Sequence, residues 1–233
     1  LEHPYAAHVY AFGVEPDSTA WIAMEFVRGT PLDRLLRDGG ALDLPRALML
    51  VRCLCEVVQA AHDQGIVHRD IKAANVMVEA RAGRLWPKLL DLGVARDVRA
   101  LRDSGSATAA SRDRAGTPLY MAPEQWVGGA IGPAADVYAV GALLFEAVTG
   151  APPFSGSTVR ELAAAHAKKP VPPLPPHLPS ELHAVISRAM AKRAADRYPS
   201  AQELALELRR IGSGLTGADP LPKLDPTTRD ETT

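Results

Sequence analysis

The sequence has no long hydrophobic run. Its longest apolar stretch, Val137 to Phe145, is closed by Asp136 and Glu146 and falls far short of the roughly 20 residues that cross a bilayer, so no membrane span is expected. Cysteine is scarce. Cys53 and Cys55 are the only two in 233 residues, which excludes a disulfide framework. Standing two apart in a helical pattern they face different directions and cannot bridge. They read as small buried hydrophobes, compatible with a reducing, cytoplasmic setting. An excess of charge is also missing. Lys+Arg total 26 against Asp+Glu 27, a formal net charge of -1, which gives no electrostatic case for nucleic acid or an anionic membrane surface. The opening Leu1-Glu2-His3-Pro4 lacks the basic start and apolar stretch of a signal peptide. It also lacks an initiating Met, so the start reads as a cut or a mis-called start. No internal repeat and no Walker or dinucleotide glycine motif is found.

What is present is an ordinary globular composition, 47% hydrophobic and 23% charged, enough for one well-cored domain with a tail. Val9–Val14 and Ala20–Phe26 predict a β-hairpin around Pro16-Asp17-Ser18. Gly29-Thr30-Pro31-Leu32 predicts a short helix capped by Thr30. Leu44 to Asp63 carries one apolar stripe at spacings of three and four, ended by Gly65. Ile66-Val67, Val76-Met77-Val78 and Leu85–Asp91 predict short strands. Pro133–Thr149 predicts a central helix, apolar on nearly every side. Further helices are expected at Val159–Lys168, Ser180–Lys192 and Ser200–Ile211. Arg96–Gly116 is a long loop, Pro170–Pro179 a stiff connection, and everything after Ile211 a disordered tail. The order is a little β followed by mostly α.

Five motifs then appear in sequence order. His68-Arg69-Asp70-Ile71-Lys72-Ala73-Ala74-Asn75 resembles the catalytic loop of the protein kinases, with Ile71 where the usual pattern has Leu. Asp91-Leu92-Gly93 looks like the family's metal-binding motif, with Leu92 replacing Phe. Gly116-Thr117-Pro118 and Ala122-Pro123-Glu124 resemble the end of the activation segment. Asp136-Val137-Tyr138-Ala139-Val140-Gly141 resembles the start of the central helix, and Arg197, in Ala195-Asp196-Arg197-Tyr198-Pro199, fits the basic partner of Glu124. The chain is thereby similar to the eukaryotic-like, bacterial-type serine/threonine protein kinases over Leu1 to Ile211.

That resemblance implies an α+β, protein-kinase-like fold, a mostly helical C-terminal lobe with a residual β-hairpin of the small lobe. It implies a division into 1–28 (small-lobe remnant and hinge), 29–211 (large lobe) and 212–233 (tail). It implies ATP and Mg²⁺ (or Mn²⁺) as cofactors and a protein with Ser or Thr as substrate. In phosphoryl transfer the protein supplies position and charge rather than covalent chemistry. On that basis Asp70 would orient the substrate hydroxyl and accept its proton, Lys72 would contact the γ-phosphate, and Asn75 and Asp91 would hold the metal. Met24, Glu25 and Val27 would form the hinge against the nucleotide base, with Met77 beneath it. His68, Arg69, Leu92, Thr117, Glu124, Asp136 and Arg197 would be structural supports. Arg69 beside Asp70 implies switching by a phosphate on Ser104, Ser106, Thr108 or Ser111. The family's Gly-rich loop, strand Lys and helix Glu are not found. The expectation is a chain cut within the small lobe, with weak ATP binding by itself. Two other readings stand beside the kinase: a scaffold module of the pseudokinase type, and a small-molecule phosphotransferase.

Overall fold

The structure is a computed structural model and describes residues 1–15, 17, 19–81, 84–90, 118–129 and 131–214. Along the chain come β1 (Val9–Val14), β2 (Ala20–Met24), β3 (Thr30–Pro31), α1 (Leu32–Gly39), α2 (Leu44–Asp63), β4 (Val76–Arg81) and β5 (Arg84–Leu89). They are followed by α3 (Pro123–Trp126), α4 (Pro133–Thr149), α5 (Val159–Lys168), α6 (Ser180–Ala189) and α7 (Ala201–Gly214).

Helix α2 forms because its stripe of Leu48, Val51, Leu54, Cys55, Val58 and Ala61 buries completely on one side. Asp43 starts it, its carboxylate accepting the Arg46 N–H at 2.9 Å. Gly65 stops it by taking φ +75°, which lets its own N–H and that of Ile66 return to the His62 and Ala61 carbonyls, both at 2.9 Å. Helix α4 has no polar face to offer water, and every residue from Ala135 to Val148 is buried. It is the axis of the helical body, with α2, α6 and α7 packed on it and α7 lying along α2. Gly141 permits the approach of α6: a Cβ there would stand 2.8 Å from Ala189 Cβ and 3.0 Å from Met190 Cγ.

The two sheets are small and antiparallel. β1 and β2 form the expected hairpin, with Phe12 opposite Ile22 and Gly13 opposite Trp21. The other sheet has the order β3-β4-β5. The N-terminal segment ties into it, Ala7 N–H reaching Leu89 O at 2.9 Å and Leu89 N–H reaching Tyr5 O at 2.8 Å. Cys55 is buried and Cys53 half-buried, both free. No helix among the described residues is long and apolar enough to cross a membrane.

Four local expectations are corrected. Thr30 does not cap α1; Thr30 and Pro31 pair instead with Val78 and Met77 of β4, and Pro31 becomes the residue before the helix with no side-chain cap. Ile66-Val67 is not a strand but a linker from α2 to the following turn. It lacks a partner because the neighbouring ladder runs through residues 76–89. Helix α6 ends at Ala189 rather than Lys192, its last carbonyls taken by the turn through Met190 and Ala191. Helix α7 continues to Gly214, past the boundary expected at 211.

Gly141→Ala is expected to lower unfolding free energy by about 1–3 kcal/mol, the usual range for overpacking. Gly39→Ala, at a position with nothing within 4 Å of the added carbon, should be neutral or slightly stabilising. Urea unfolding of the two variants side by side checks both.

Candidate active site

The turn that follows α2 is built around one buried carboxylate. Asp136 sits in the first turn of α4, is 1% exposed, and receives three hydrogen bonds. Its Oδ2 accepts from the His68 main-chain N–H at 2.8 Å and from His62 Nε2 at 2.8 Å, and its Oδ1 accepts from the Arg69 N–H at 2.7 Å. A carboxylate this deep is tolerable only when its lone pairs are so occupied. His62, in the last turn of α2, therefore carries its proton on Nε2.

The bonds hold the chain in a conformation it would not choose alone. Arg69 has φ +65° and is the only described residue other than glycine with positive φ, a cost of about 1–3 kcal/mol. Its carbonyl is held too, accepting from Gln125 Nε2 at 3.0 Å. His68 turns inward: its Nε2 donates to Leu90 O at 3.0 Å and its Nδ1 accepts the Asp70 N–H at 3.3 Å. The imidazole thus links this turn to Leu90, the residue just after β5.

Beyond that strained peptide three polar side chains converge. Asp70 points outward, its side chain 63% exposed, and Lys72 Nζ lies 2.8 Å from its Oδ2. Asn75, buried at the end of a short 3₁₀ turn, donates from Nδ2 to Asp70 O at 2.8 Å and to Asp70 Oδ2 at 3.2 Å. Both bonds use the amide nitrogen, so Oδ1 is left as an oxygen donor of the kind a hard cation takes. Asp91, Leu92, Thr117 and the loop residues Ser104, Ser106, Thr108 and Ser111 lie outside the described residues. Among the described residues no group of three His, Cys, Asp or Glu side chains could hold a metal ion by itself.

The segment Met24–Val27 begins at the last residue of β2. Glu25 donates its N–H to His8 O at 2.7 Å; the Val27 main chain makes no hydrogen bond with another described residue. The Glu25 carboxylate takes both its oxygens to Lys88 Nζ at 2.6 Å and accepts the His8 N–H at 3.2 Å. The Lys88 ammonium holds the Glu25 carboxyl below its ordinary range. Met77 is half-buried on β4, between Pro31 and Lys88 in the ladder. Phe26 is 86% exposed.

Glu124 and Arg197 meet 73 residues apart. Arg197 donates Nη1 to Oε1 at 2.7 Å and Nη2 to Oε2 at 2.8 Å, a two-pronged pair. Its remaining donors reach the Ala191, Ala134 and Lys192 carbonyls, and its side chain is fully buried. Tyr120, in the same stretch as Glu124, donates its hydroxyl to the buried Glu146 of α4; burial pushes the Glu146 carboxyl up and the Tyr120 phenol well up.

The sequence reading missed His62, Lys88 and Gln125. His62 had a faint signal, a histidine in the last helical turn six residues before His68. The other two had none, since each acts only through a partner brought near by the fold.

Removing one side of the Glu124–Arg197 pair leaves a buried charge uncompensated. Glu124→Ala is expected to lower stability by about 3–5 kcal/mol, measurable by urea unfolding at pH 7. Burial alone would raise the Glu124 carboxyl, but the Arg197 hydrogen bonds and charge outweigh it and hold the group below its usual 4.5. A carboxyl depressed on folding contributes stability that is full above its unfolded value and is lost as pH falls through the folded one. Stability is therefore expected to drop as pH falls below about 4.5, and Glu124→Gln should show a smaller drop over the same interval.

Comparison with known proteins gives the same site a family. The model of the protein kinase domain matches residues 1–207. Serine/threonine-protein kinase PknB of Mycobacterium tuberculosis is 35% identical over 221 residues, covering 92% of this chain and 34% of its own length. Serine/threonine-protein kinase PkaA of Streptomyces coelicolor is 38% identical over 215 residues, covering 92% of this chain and 38% of its own. The chain thus spans about a third of the length of these curated relatives. Among solved structures, the PknI kinase domain of Mycobacterium tuberculosis superimposes with a TM-score of 0.68 at 28% identity, over 91% of this chain and 73% of that one. Rad53 residues 1–466, solved with AMP-PNP, shares the fold at a TM-score of 0.69 and 23% identity, over 88% and 50% of the two chains. With a family match over residues 1–207, this α+β chain belongs to the protein kinases, with bacterial serine/threonine kinases among its relatives.

Proposed function

We propose that this chain is the hinge and large lobe of a serine/threonine protein kinase that transfers the γ-phosphoryl group of ATP to a protein Ser or Thr hydroxyl. Residues 1–28 would be the small-lobe remnant and hinge, and 29–211 the large lobe. The observation that carries the reading is the convergence of Asp70, Lys72 and Asn75 on one exposed carboxylate, at the end of a strained turn fixed by Asp136. An enzyme of this kind needs little covalent chemistry from the protein and much positioning.

In this reading the Asp70 carboxylate accepts a hydrogen bond from the substrate hydroxyl, aims its oxygen, and receives its proton as the new oxygen–phosphorus bond forms. Lys72, already at 2.8 Å from Asp70, lies where it can share its charge with an incoming phosphate. The bond from the γ-phosphorus to its bridging oxygen breaks and the diphosphate carries that charge away. Mg²⁺ or Mn²⁺ would supply neutralisation of the phosphate oxygens, and the Asn75 Oδ1 fits it as a hard oxygen donor, with Asp91 the second ligand that the resemblance implies. The main-chain groups of Glu25 and Val27, the latter without a hydrogen bond among the described residues, would bond the base, above Met77 and behind Met24. The near-neutral charge, -1, supports a protein substrate over nucleic acid, and the two free cysteines suit the cytoplasm.

The test is transfer of labelled phosphate from Mg²⁺-ATP to a Ser/Thr-containing protein by the full-length protein. Asp70→Asn is expected to lower kcat by about 10²–10⁴ with the fold retained. Lys72→Ala should lower it by about 10²–10³. Transfer that survives Asp70→Asn undiminished would contradict the reading.

A further inference from the structure

Arg69 is gripped at both its main-chain N–H and its carbonyl, and only one grip comes from α4. Asp136 holds the Arg69 N–H at 2.7 Å. The Arg69 carbonyl, one bond from the Asp70 nitrogen, is held at 3.0 Å by Gln125 Nε2, which comes from α3, 56 residues further on. The orientation of that amide is fixed by its other end, because Gln125 Oε1 accepts the Ala122 N–H at 2.9 Å. Turned over, the side chain would set its NH₂ against a donor and its oxygen against the Arg69 carbonyl. Helix α3 cannot drift while Gln125 stays in reach, since the neighbouring Glu124 is clamped by both Arg197 nitrogens at 2.7 and 2.8 Å. One face of a four-residue helix is thus bolted to the body of the protein. The next residue reaches back to the carbonyl of Arg69, whose φ of +65° needs outside support.

We propose that Gln125 is a positioning residue for Asp70, and that through it the seating of residues 118–126 is coupled to the geometry of the 68–75 turn. The proposal rests on the kinase reading for its effect on rate, and on geometry alone for its effect on the turn. When α3 is seated, the Arg69 carbonyl has a donor and the peptide plane that aims Asp70 is fixed. When α3 is displaced, that carbonyl loses its donor, and the peptide keeps only the long bond from the Asp70 N–H to His68 Nδ1 at 3.3 Å, with Asp136 holding the peptide before it. Gln125 touches no reacting atom, and its contribution is to orientation.

Two variants separate its two bonds. Gln125→Glu keeps an oxygen for the Ala122 N–H but sets a second oxygen against the Arg69 carbonyl. Gln125→Met removes both bonds at similar volume. In the full-length protein, Gln125→Glu is expected to lower kcat about 10- to 100-fold and to leave the KM for ATP within about twofold. The melting temperature should stay near wild type, because the Glu124–Arg197 pair is untouched. Amide hydrogen exchange, read in parallel, should be faster in residues 68–75 for both variants and unchanged in α2. Wild-type exchange in 68–75 for both variants would overturn the proposal whatever the activity. So would a kcat within twofold of wild type for Gln125→Glu when Asp70→Asn is inactive. If wild type and Asp70→Asn were equally inactive, the kinase reading would fall. Faster exchange would then still support the coupling, and unchanged exchange would overturn it.

Discussion

The structure depends on a carboxylate that is nowhere near the surface. Asp136 is an acid placed in the first turn of a helix otherwise without a polar face, where the helix N-terminus favours negative charge. Burying it is costly unless its oxygens are saturated, and they are saturated by the two consecutive N–H groups of His68 and Arg69 together with His62. The requirement runs both ways. The acid needs the turn for its hydrogen bonds, and the turn needs the acid to hold Arg69 in the left-handed region. One buried interaction therefore joins the axis of the helical body, the end of α2 and the loop that presents Asp70.

Around that joint the polar contacts form a chain rather than a cluster. His68 passes from the turn to Leu90. Asn75 ties Asp70 to the start of β4 and, through its own carbonyl, bonds the Leu90 N–H at 2.8 Å. On the far side the Glu124–Arg197 pair fixes α3 to the turn after α6. Lys88 joins β5 to the segment just after β2 through Glu25. Apart from the local Asn75–Asp70 bonds, these links join residues 15 to 73 positions apart, so the turn that presents Asp70 is held largely by groups outside it.

The long helices were legible because their causes are local. The stripe of α2, its Gly65 stop and the unbroken apolar length of α4 are all contained in the segments that form them. Ile66-Val67 and Thr30 misled for the opposite reason: a β-rich pair is a strand only if a neighbour accepts it, and a capping hydroxyl caps only if the backbone is not already pairing with β4. The site divides in the same way. Asp70, Lys72 and Asn75 stand within six residues, close enough for their spacing to mean something. The pairing of Glu124 with Arg197 could be expected only through family resemblance. His62 against Asp136, 74 residues away, had only its place six residues before His68 to suggest it, and Gln125 against Arg69, 56 away, had no pattern at all, because an ordinary histidine and glutamine acquire their roles only when the fold closes.

The most direct measurement is residue-resolved amide exchange in Asp136→Asn, compared with wild type at neutral pH. The amide that replaces the carboxylate can still accept from one main-chain donor, but its NH₂ cannot accept from His68 N–H or His62. The account predicts that the His68 and Arg69 amides lose their protection and exchange like a surface loop, while the amides inside α2 stay protected. His68 and Arg69 amides as slow in the variant as in wild type would contradict it, and would mean that the turn is held by something other than the buried acid.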